Sequence, residues 1–316
     1  MLSRLVLVSL FLVGVAELHS EEERIADPSF REHPADTTLE IQVELHRRGF
    51  SCGSIDGVMG AQTASAIDAF QRSLGIRSTG TLTPETSAKL LVQKPALMAY
   101  TLKASELATI HPMPDTWLEK SQLASMAYTS AVEMIGERFH CNPALVKALN
   151  PTVHWDSILV GSNVIVPAVD SVVINGSAAK LEISLGARAL EVVDATGRVI
   201  AHFPVSIARR VEKRPVGDLH VVVVAPDPDY TFDPDVITES EEGKALGRKL
   251  LIPPGPNNPV GLAWIGLDLP GYGIHGTPEP EKVGRTESHG CFRLANWDAV
   301  TLLGIVSVGM VVTVAD

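Results

Sequence analysis

The chain opens on an apolar run from Leu5 to Val13, broken only by Ser9. The run is shorter than the ~20 residues a membrane span needs. With Arg4 ahead of it and Gly14-Val15-Ala16 behind, residues 1–16 read as a secretory signal peptide. A retained anchor is the competing reading, because Arg4 is the only positive charge there. No Cys follows the run, which argues against a lipoprotein. Residues 17–36 are polar and acidic and suit a flexible leader. Helical periodicity then starts. Ile41 and Leu45 lead to Gly49-Phe50, and Ile67, Phe70 and Leu74 lead to Gly75, which predicts two helices each closed by a glycine. Thr83-Pro84 predicts an N-cap with Pro in the first turn of a third helix ending near Leu91. Ile55-Asp56-Gly57 and Thr79-Gly80-Thr81-Leu82 are turns. Residues 37–93 are thus a three-helix unit, too small for a deep active site.

Residues 94–127 hold Pro95, Pro112 and Pro114 without a clear period and read as a linker with one short helix. From 128 to 168 the helical period returns in Tyr128, Val132, Ile135 and Phe139. Asn142-Pro143 caps a second helix, Asn150-Pro151 ends it, and Val164, Val166 and Pro167 form a closing strand. From 178 to 315 the period changes to two. Leu181, Ile183 and Leu185 alternate with polar residues, Asp194 to Gly197 is a hairpin turn, and Val199 to Ile207, Val221 to Val224 and Met310 to Val314 are further strands. Asn296 is expected to cap a helix there, with Asp298 in its first turn. The fold class is multidomain: a three-helix unit, a strand-helix-helix-strand unit, and a mainly antiparallel β sandwich with one or two helices.

The chain has 316 residues, 45% hydrophobic and 20% charged, enough to bury real cores. A net charge of -11 argues against nucleic acid, whose binders present a basic face. Three cysteines in an exported chain imply a free thiol and at most one disulfide, with Cys52 and Cys141 as its only pair outside the cluster below.

The chemistry concentrates in Ile274-His275-Gly276-Thr277 and Ser288-His289-Gly290-Cys291-Phe292-Arg293-Leu294. A cysteine nucleophile attacks as thiolate and needs a base or cation beside it. Gly290 leaves room for a substrate to approach backbone N–H groups that receive the developing oxyanion. Arg293, two residues beyond Cys291 on the same strand face, suits a carboxylate. Two blander readings compete. His275, His289 and Cys291 are also candidate zinc ligands, although the spacing lacks the usual pairs and a fourth ligand is unspecified. A buried cysteine is also commonly inert packing. Trp264, Tyr272 and Trp297 flank the cluster and are expected in the core rather than in the site.

Three resemblances follow from these residues. Gly49-Phe50, Ile55-Asp56-Gly57, Thr63, Ala66-Ile67, Phe70-Gln71, Gly75, Thr79-Gly80 and Leu82 resemble a three-helix peptidoglycan-binding domain. Ile135, Phe139, the 142–149 helix, Asn150-Pro151, Gly161 and Val166-Pro167 resemble a LysM module, without the usual Gly-Asp-Thr: the chain reads Tyr128-Thr129-Ser130-Ala131. Residues 251–299 resemble the catalytic domain of the YkuD-like L,D-transpeptidases, through Pro253-Pro254-Gly255-Pro256-Asn257-Asn258-Pro259-Val260-Gly261, Tyr272 to Thr277, Pro280, Val283-Gly284, Ser288 to Leu294, Asn296 and Asp298-Ala299. The likeness extends loosely back to Lys180, with Arg214 where the family has Thr before Pro215-Val216-Gly217.

The transpeptidase resemblance implies that Cys291 attacks the third residue of a peptidoglycan tetrapeptide stem, expels D-Ala and holds a thioester. An amine of a second stem then gives a 3→3 cross-link, with a protein amine or water as other acceptors. It implies His275 as the base, oriented by the carbonyl of Gly276, with Ser288, His289 and Gly290 shaping the oxyanion and substrate pocket and Arg293 holding the donor. The residues themselves leave open which histidine reaches the thiol. No cofactor or metal is implied. The expected partners are the wall's stem peptides and glycan, with the membrane met only through the signal peptide and the location periplasm or cell wall. An L,D-carboxypeptidase and a wall-binding protein with a relic catalytic domain are the other functions considered; the intact His275, His289, Cys291 and Arg293 argue against the relic.

Overall fold

Thr37 accepts the Glu40 N–H and the Glu40 carboxylate returns to the Thr37 N–H, a reciprocal cap that starts helix α1 (Thr38–Arg47). Gly49 reverses the chain at φ +82°, a conformation open to glycine, so that Phe50 turns inward. Helix α2 (Ala61–Ser73) follows and α3 (Pro84–Lys89) starts from the Thr83 cap. Phe50 meets Phe70 edge-on at 5.5 Å between α1 and α2. This computed structural model describes residues 29–169, 172–286 and 290–316. The signal-peptide reading and residues 17–28 of the leader lie outside them. The end of that leader is not free chain: His33–Pro34 (β1) pairs with Leu91–Val92 (β2) and buries Ala35. No helix of the described residues is long and apolar enough to cross a membrane.

The stretch expected to be a linker carries strand β3 (Leu97–Thr101) and two short helices, α4 (Ala104–Leu107) and α5 (Trp117–Lys120). Helices α6 (Ala131–Arg138) and α7 (Pro143–Leu149) follow, the second capped by Asn142, and strand β4 (Asn163–Pro167) closes the unit. The antiparallel partner of β4 is β3, so the strand-helix-helix-strand order holds only with its first strand at 97–101. The intervening turn-rich insertion hides that pairing from any local pattern.

The C-terminal unit is a curled mixed sheet. Its strands are β5 (Ala178–Ser184), β6 (Ala189–Asp194), β7 (Val199–Pro204), β8 (Gly217–Pro226), β11 (Ala263–Leu267), β12 (Gly273–His275), β13 (Phe292–Arg293) and β14 (Val311–Ala315). Among the described residues the order is β13-β12-β11-β8-β14-β5-β6-β7. β12 and β13 run parallel, as do β14 and β5, and the other neighbours are antiparallel. Between β8 and β11 lie β9 (Tyr230–Phe232), α8 (Glu241–Leu246) and β10 (Leu250–Ile252), with β9 and β10 paired antiparallel. Helix α9 (Asn296–Leu303) packs on β8, β11 and β12. Beyond β7, Ser206 exchanges both backbone hydrogen bonds with Arg293, so the two edges of the sheet meet. Such closure satisfies edge groups that would otherwise invite pairing. The alternating Leu181, Ile183, Val312 and Val314 fill the core inside the curl.

Residues 31–316 form one compact unit. Gly49 and Ser51 bond His202 of β7 on both sides of a parallel bridge. Arg72 of α2 grips both carboxylate oxygens of Glu191 on β6. Ile55 bonds the backbone of His140 and Asn142, tying the N-terminal helices to the middle unit. Cys52 and Cys141 are buried thiols.

Candidate active site

Three short strand ends build the site. The register of β11 and β12 sets Trp264 opposite His275, and that of β12 and β13 sets His275 beside Arg293. The Leu294 N–H donates to the His275 carbonyl at 2.8 Å and fixes the approach of the Cys291 segment to β12. Cys291 stands one residue before β13, half-buried, and its thiol donates to the Gly271 carbonyl at 3.4 Å. The positive φ of Gly271, +81°, forms the turn that presents this carbonyl.

His275 is buried, with its ring stacked on Trp264 at 5.6 Å and 23° between planes. Its Nδ1 lies 2.6 Å from the Gly276 carbonyl, which fixes the proton on Nδ1 and leaves Nε2 as a lone pair. Burial lowers its pKa to about 4, against the Gly276 hydrogen bond, and the Arg293 guanidinium lowers it further. Burial pushes the Cys291 thiol up, opposed by the Gly273 backbone and Arg293. Both shifts favour the uncharged forms, a thiol and an unprotonated imidazole.

His275, Gly290, Cys291 and Arg293 open on a common cavity of about 720 Å3. Among the described residues, a methyl placed on Gly290 would meet nothing within 4 Å, so its missing side chain leaves space in the cavity rather than relieving a packed contact. A methyl on Gly276 would lie 2.2 Å from Asn296 Oδ1, so that glycine is required by packing. Ser288 and His289 lie outside the described residues. Among the described residues no group of three His, Cys, Asp or Glu could hold a metal ion.

Sequence reasoning missed part of the wall. Lys213, Asp229, Tyr230 and Glu239 line the cavity, from segments far from the motifs, and no local pattern marks them. Trp264 and Tyr272, expected in the core, line it too. Trp297 does not: it stacks on His140 at 5.2 Å beside a separate cavity of about 600 Å3. Arg214 donates to the carbonyls of Ala208 and Arg209, closing the loop that carries Lys213. Asn296 is the first residue of α9, and its cap position belongs to Ala295, which makes no side-chain cap. The Asn296 side chain bonds Leu262, Thr277, Glu137 and Pro256 instead.

A thiol and an imidazole lining one cavity are the side chains that a cysteine acyltransferase requires. The chain carries an enzyme domain of that class: residues 178–314 match the L,D-transpeptidase catalytic domain, YkuD, and residues 35–90 match a putative peptidoglycan-binding domain. The chain is similar to the putative L,D-transpeptidase YkuD of Bacillus licheniformis, at 24% identity over 58% of this chain and 92% of that protein. It is similar to the putative L,D-transpeptidase YqjB of Bacillus subtilis, at 34% identity over 36% of this chain and 58% of that protein. Among solved structures it resembles an L,D-transpeptidase from Xylanimonas cellulosilytica, at 16% identity and a TM-score of 0.38, over 90% of this chain and 96% of that one.

Proposed function

We propose that this enzyme forms 3→3 cross-links in peptidoglycan through a thioester on Cys291. What supports this reading is the Nδ1 bond of His275 to Gly276, which leaves Nε2 unprotonated on a ring that lines the same cavity as Cys291. Nε2 takes the thiol proton as Sγ attacks the carbonyl of the third stem residue, a diamino acid. The carbonyl becomes an oxyanion, held by backbone N–H groups of the Gly290 segment and by His289. Its collapse expels the D-Ala amine, which takes the proton from His275. The amine of a second stem then attacks the thioester, His275 removes its proton, and the thiol is restored. Arg293 holds a donor carboxylate and Ser288 helps to shape the pocket.

We infer that the N-terminal helical unit and the LysM-like unit hold the wall polymer close, and that the enzyme works after export, in the periplasm or cell wall. Tethering raises the local stem concentration without altering the chemistry. The test is mass spectrometry of products from a disaccharide tetrapeptide, with Cys291→Ala in parallel. A dimeric 3→3 product absent in the variant is the expected result. Cys291-dependent tripeptide alone would make water the acceptor and the enzyme a carboxypeptidase. No Cys291-dependent product from reduced protein would overturn the reading.

A further inference from the structure

The peptide group between Gly276 and Thr277 carries two bonds that face opposite ways. Its carbonyl accepts from His275 Nδ1 at 2.6 Å. Its N–H, on Thr277, donates to Asn296 Oδ1 at 3.0 Å. The peptide is trans and planar, so fixing the N–H direction fixes the carbonyl direction. Asn296 thereby sets the acceptor that holds the His275 ring and its tautomer.

Asn296 is itself held on every side. It is fully buried. Its Oδ1 also accepts the Leu262 N–H at 3.2 Å. Its Nδ2 donates to the Pro256 carbonyl at 3.0 Å and to both carboxyl oxygens of Glu137, at 3.0 and 2.9 Å. That uses the whole capacity of an amide, and it leaves no second orientation with equal bonding. Methyl groups on Gly261 or Gly276 would lie 2.0 and 2.2 Å from its oxygen, so both glycines exist to let it this close.

Glu137 belongs to α6 of the middle unit, not to the catalytic sheet, and it too is buried. We propose that Glu137 is a positioning residue for catalysis, acting through Asn296 and the Gly276–Thr277 peptide to hold His275 in the tautomer that deprotonates Cys291. The accessory unit then completes the active site as well as holding the polymer. This rests on the reading of His275 as the base of Cys291.

The experiment compares Glu137→Ala and Glu137→Gln in the full mature chain, with the parent enzyme as reference. Glutamine keeps an oxygen for the Asn296 N–H and alanine does not. Readouts are kcat and KM for the tetrapeptide and the 15N resonances of the His275 ring. Glu137→Ala should lose about tenfold in kcat at unchanged KM, the scale of one unsatisfied buried bond. Its Nδ1–H tautomer signal should move toward the exchange average. Glu137→Gln should recover both readouts to within about twofold. An alanine variant with parental kcat and parental ring resonances overturns the proposal. So does equal loss in both variants with the ring resonances unmoved, which is the mark of a merely structural role. If Glu137→Ala does not fold, an Asn296→Asp variant, which keeps the Thr277 acceptor and loses the Glu137 donor, is read by the same criteria. A parent enzyme without Cys291-dependent product instead sinks the transpeptidase reading, which separates the two failures.

Discussion

Ser51 Oγ donates to Asp298 Oδ2 at 2.9 Å, joining the N-terminal helical unit to the first turn of α9. Both side chains are buried, and burial holds the Asp298 carboxyl well above the usual carboxylate range, with the Ser51 bond acting against it. Removing the hydroxyl leaves a buried carboxyl without this donor. Ser51→Ala should lower unfolding stability by about 1–3 kcal/mol. Asp298→Asn is neutral and still accepts from Ser51, so it should cost less than about 1 kcal/mol. Urea denaturation of both variants checks the order. An alanine variant as stable as the parent would mean that the contact is not formed in solution.

Local signals were legible in the sequence and long-range ones were not. Thr83 and Asn142 cap their helices as Thr-Pro and Asn-Pro predict, because a cap depends on the next three residues alone. The alternation of Leu181, Ile183 and Leu185 marks a strand face correctly, and the Asp194–Gly197 turn joins β6 to β7. His275 and Cys291 are grouped in the sequence because they lie within one short stretch, and the structure lines one cavity with both. The pairing of β3 with β4 was not, since 61 residues separate Thr101 from Asn163 with an insertion between them. Nor was the bond between Glu137 and Asn296, a contact 159 positions apart. The place of Asn296 before a helix predicts a cap, whereas its amide joins three segments. Asp56-Gly57 and the Gly49 turn were predicted as punctuation, but nothing local announced that Gly49 and Ser51 pair with His202.

Three glycines should separate folding from catalysis. A methyl on Gly261 or Gly276 collides with Asn296 Oδ1, and Gly261 also holds φ at +64°. Gly261→Ala and Gly276→Ala should each cost about 3 kcal/mol or more in stability. Gly290→Ala meets no atom of the described residues within 4 Å and should fold within about 0.5 kcal/mol of the parent. Its methyl enters the cavity beside Cys291, so turnover of the tetrapeptide should fall by at least about tenfold, equivalent to 1.4 kcal/mol of barrier. Paired thermal melts and product assays measure both effects. A fully active Gly290→Ala would place the substrate away from that backbone.

The thiols should differ sharply in reactivity. Burial raises Cys52 far above the ordinary thiol range and Cys141 to about 12, while Cys291 opens on the cavity. A thiol reagent should therefore modify one cysteine per native chain and all three in urea. Because burial also raises Cys291 and keeps His275 neutral, iodoacetamide alkylation of Cys291 should keep accelerating through about pH 9. A rate plateau already reached near pH 6 would instead reveal a preformed thiolate–imidazolium pair.

Stability should peak near neutral pH, between two opposing sets of buried groups. Burial lowers His46 and His275 to about 4, against hydrogen bonds to Gly53 and Gly276, and it also holds His140 well below the usual imidazole value, helped by His46. Between pH 4 and about 6.5 the unfolded chain binds these protons and the folded chain does not, so stability rises with pH. Each of the first two histidines contributes about 3 kcal/mol across that window. Glu137 runs the other way. Burial raises it to about 8, opposed by the Asn296 bond and reinforced by Glu133 and Glu281. From about pH 4.5 to 8 its folded form keeps a proton that the unfolded chain has released, so stability falls as pH rises; Asp298 acts in the same sense. The three histidines outweigh the two acids below pH 6.5, and above it Glu137 acts without their opposition. The midpoint of urea unfolding should climb from pH 4 to about 6.5 and decline toward pH 8. Glu137→Gln cannot titrate, so it should flatten the upper limb by about 1.4 kcal/mol per pH unit and leave the lower limb steeper. An upper limb unchanged in that variant would show that Glu137 is ionised in the folded protein.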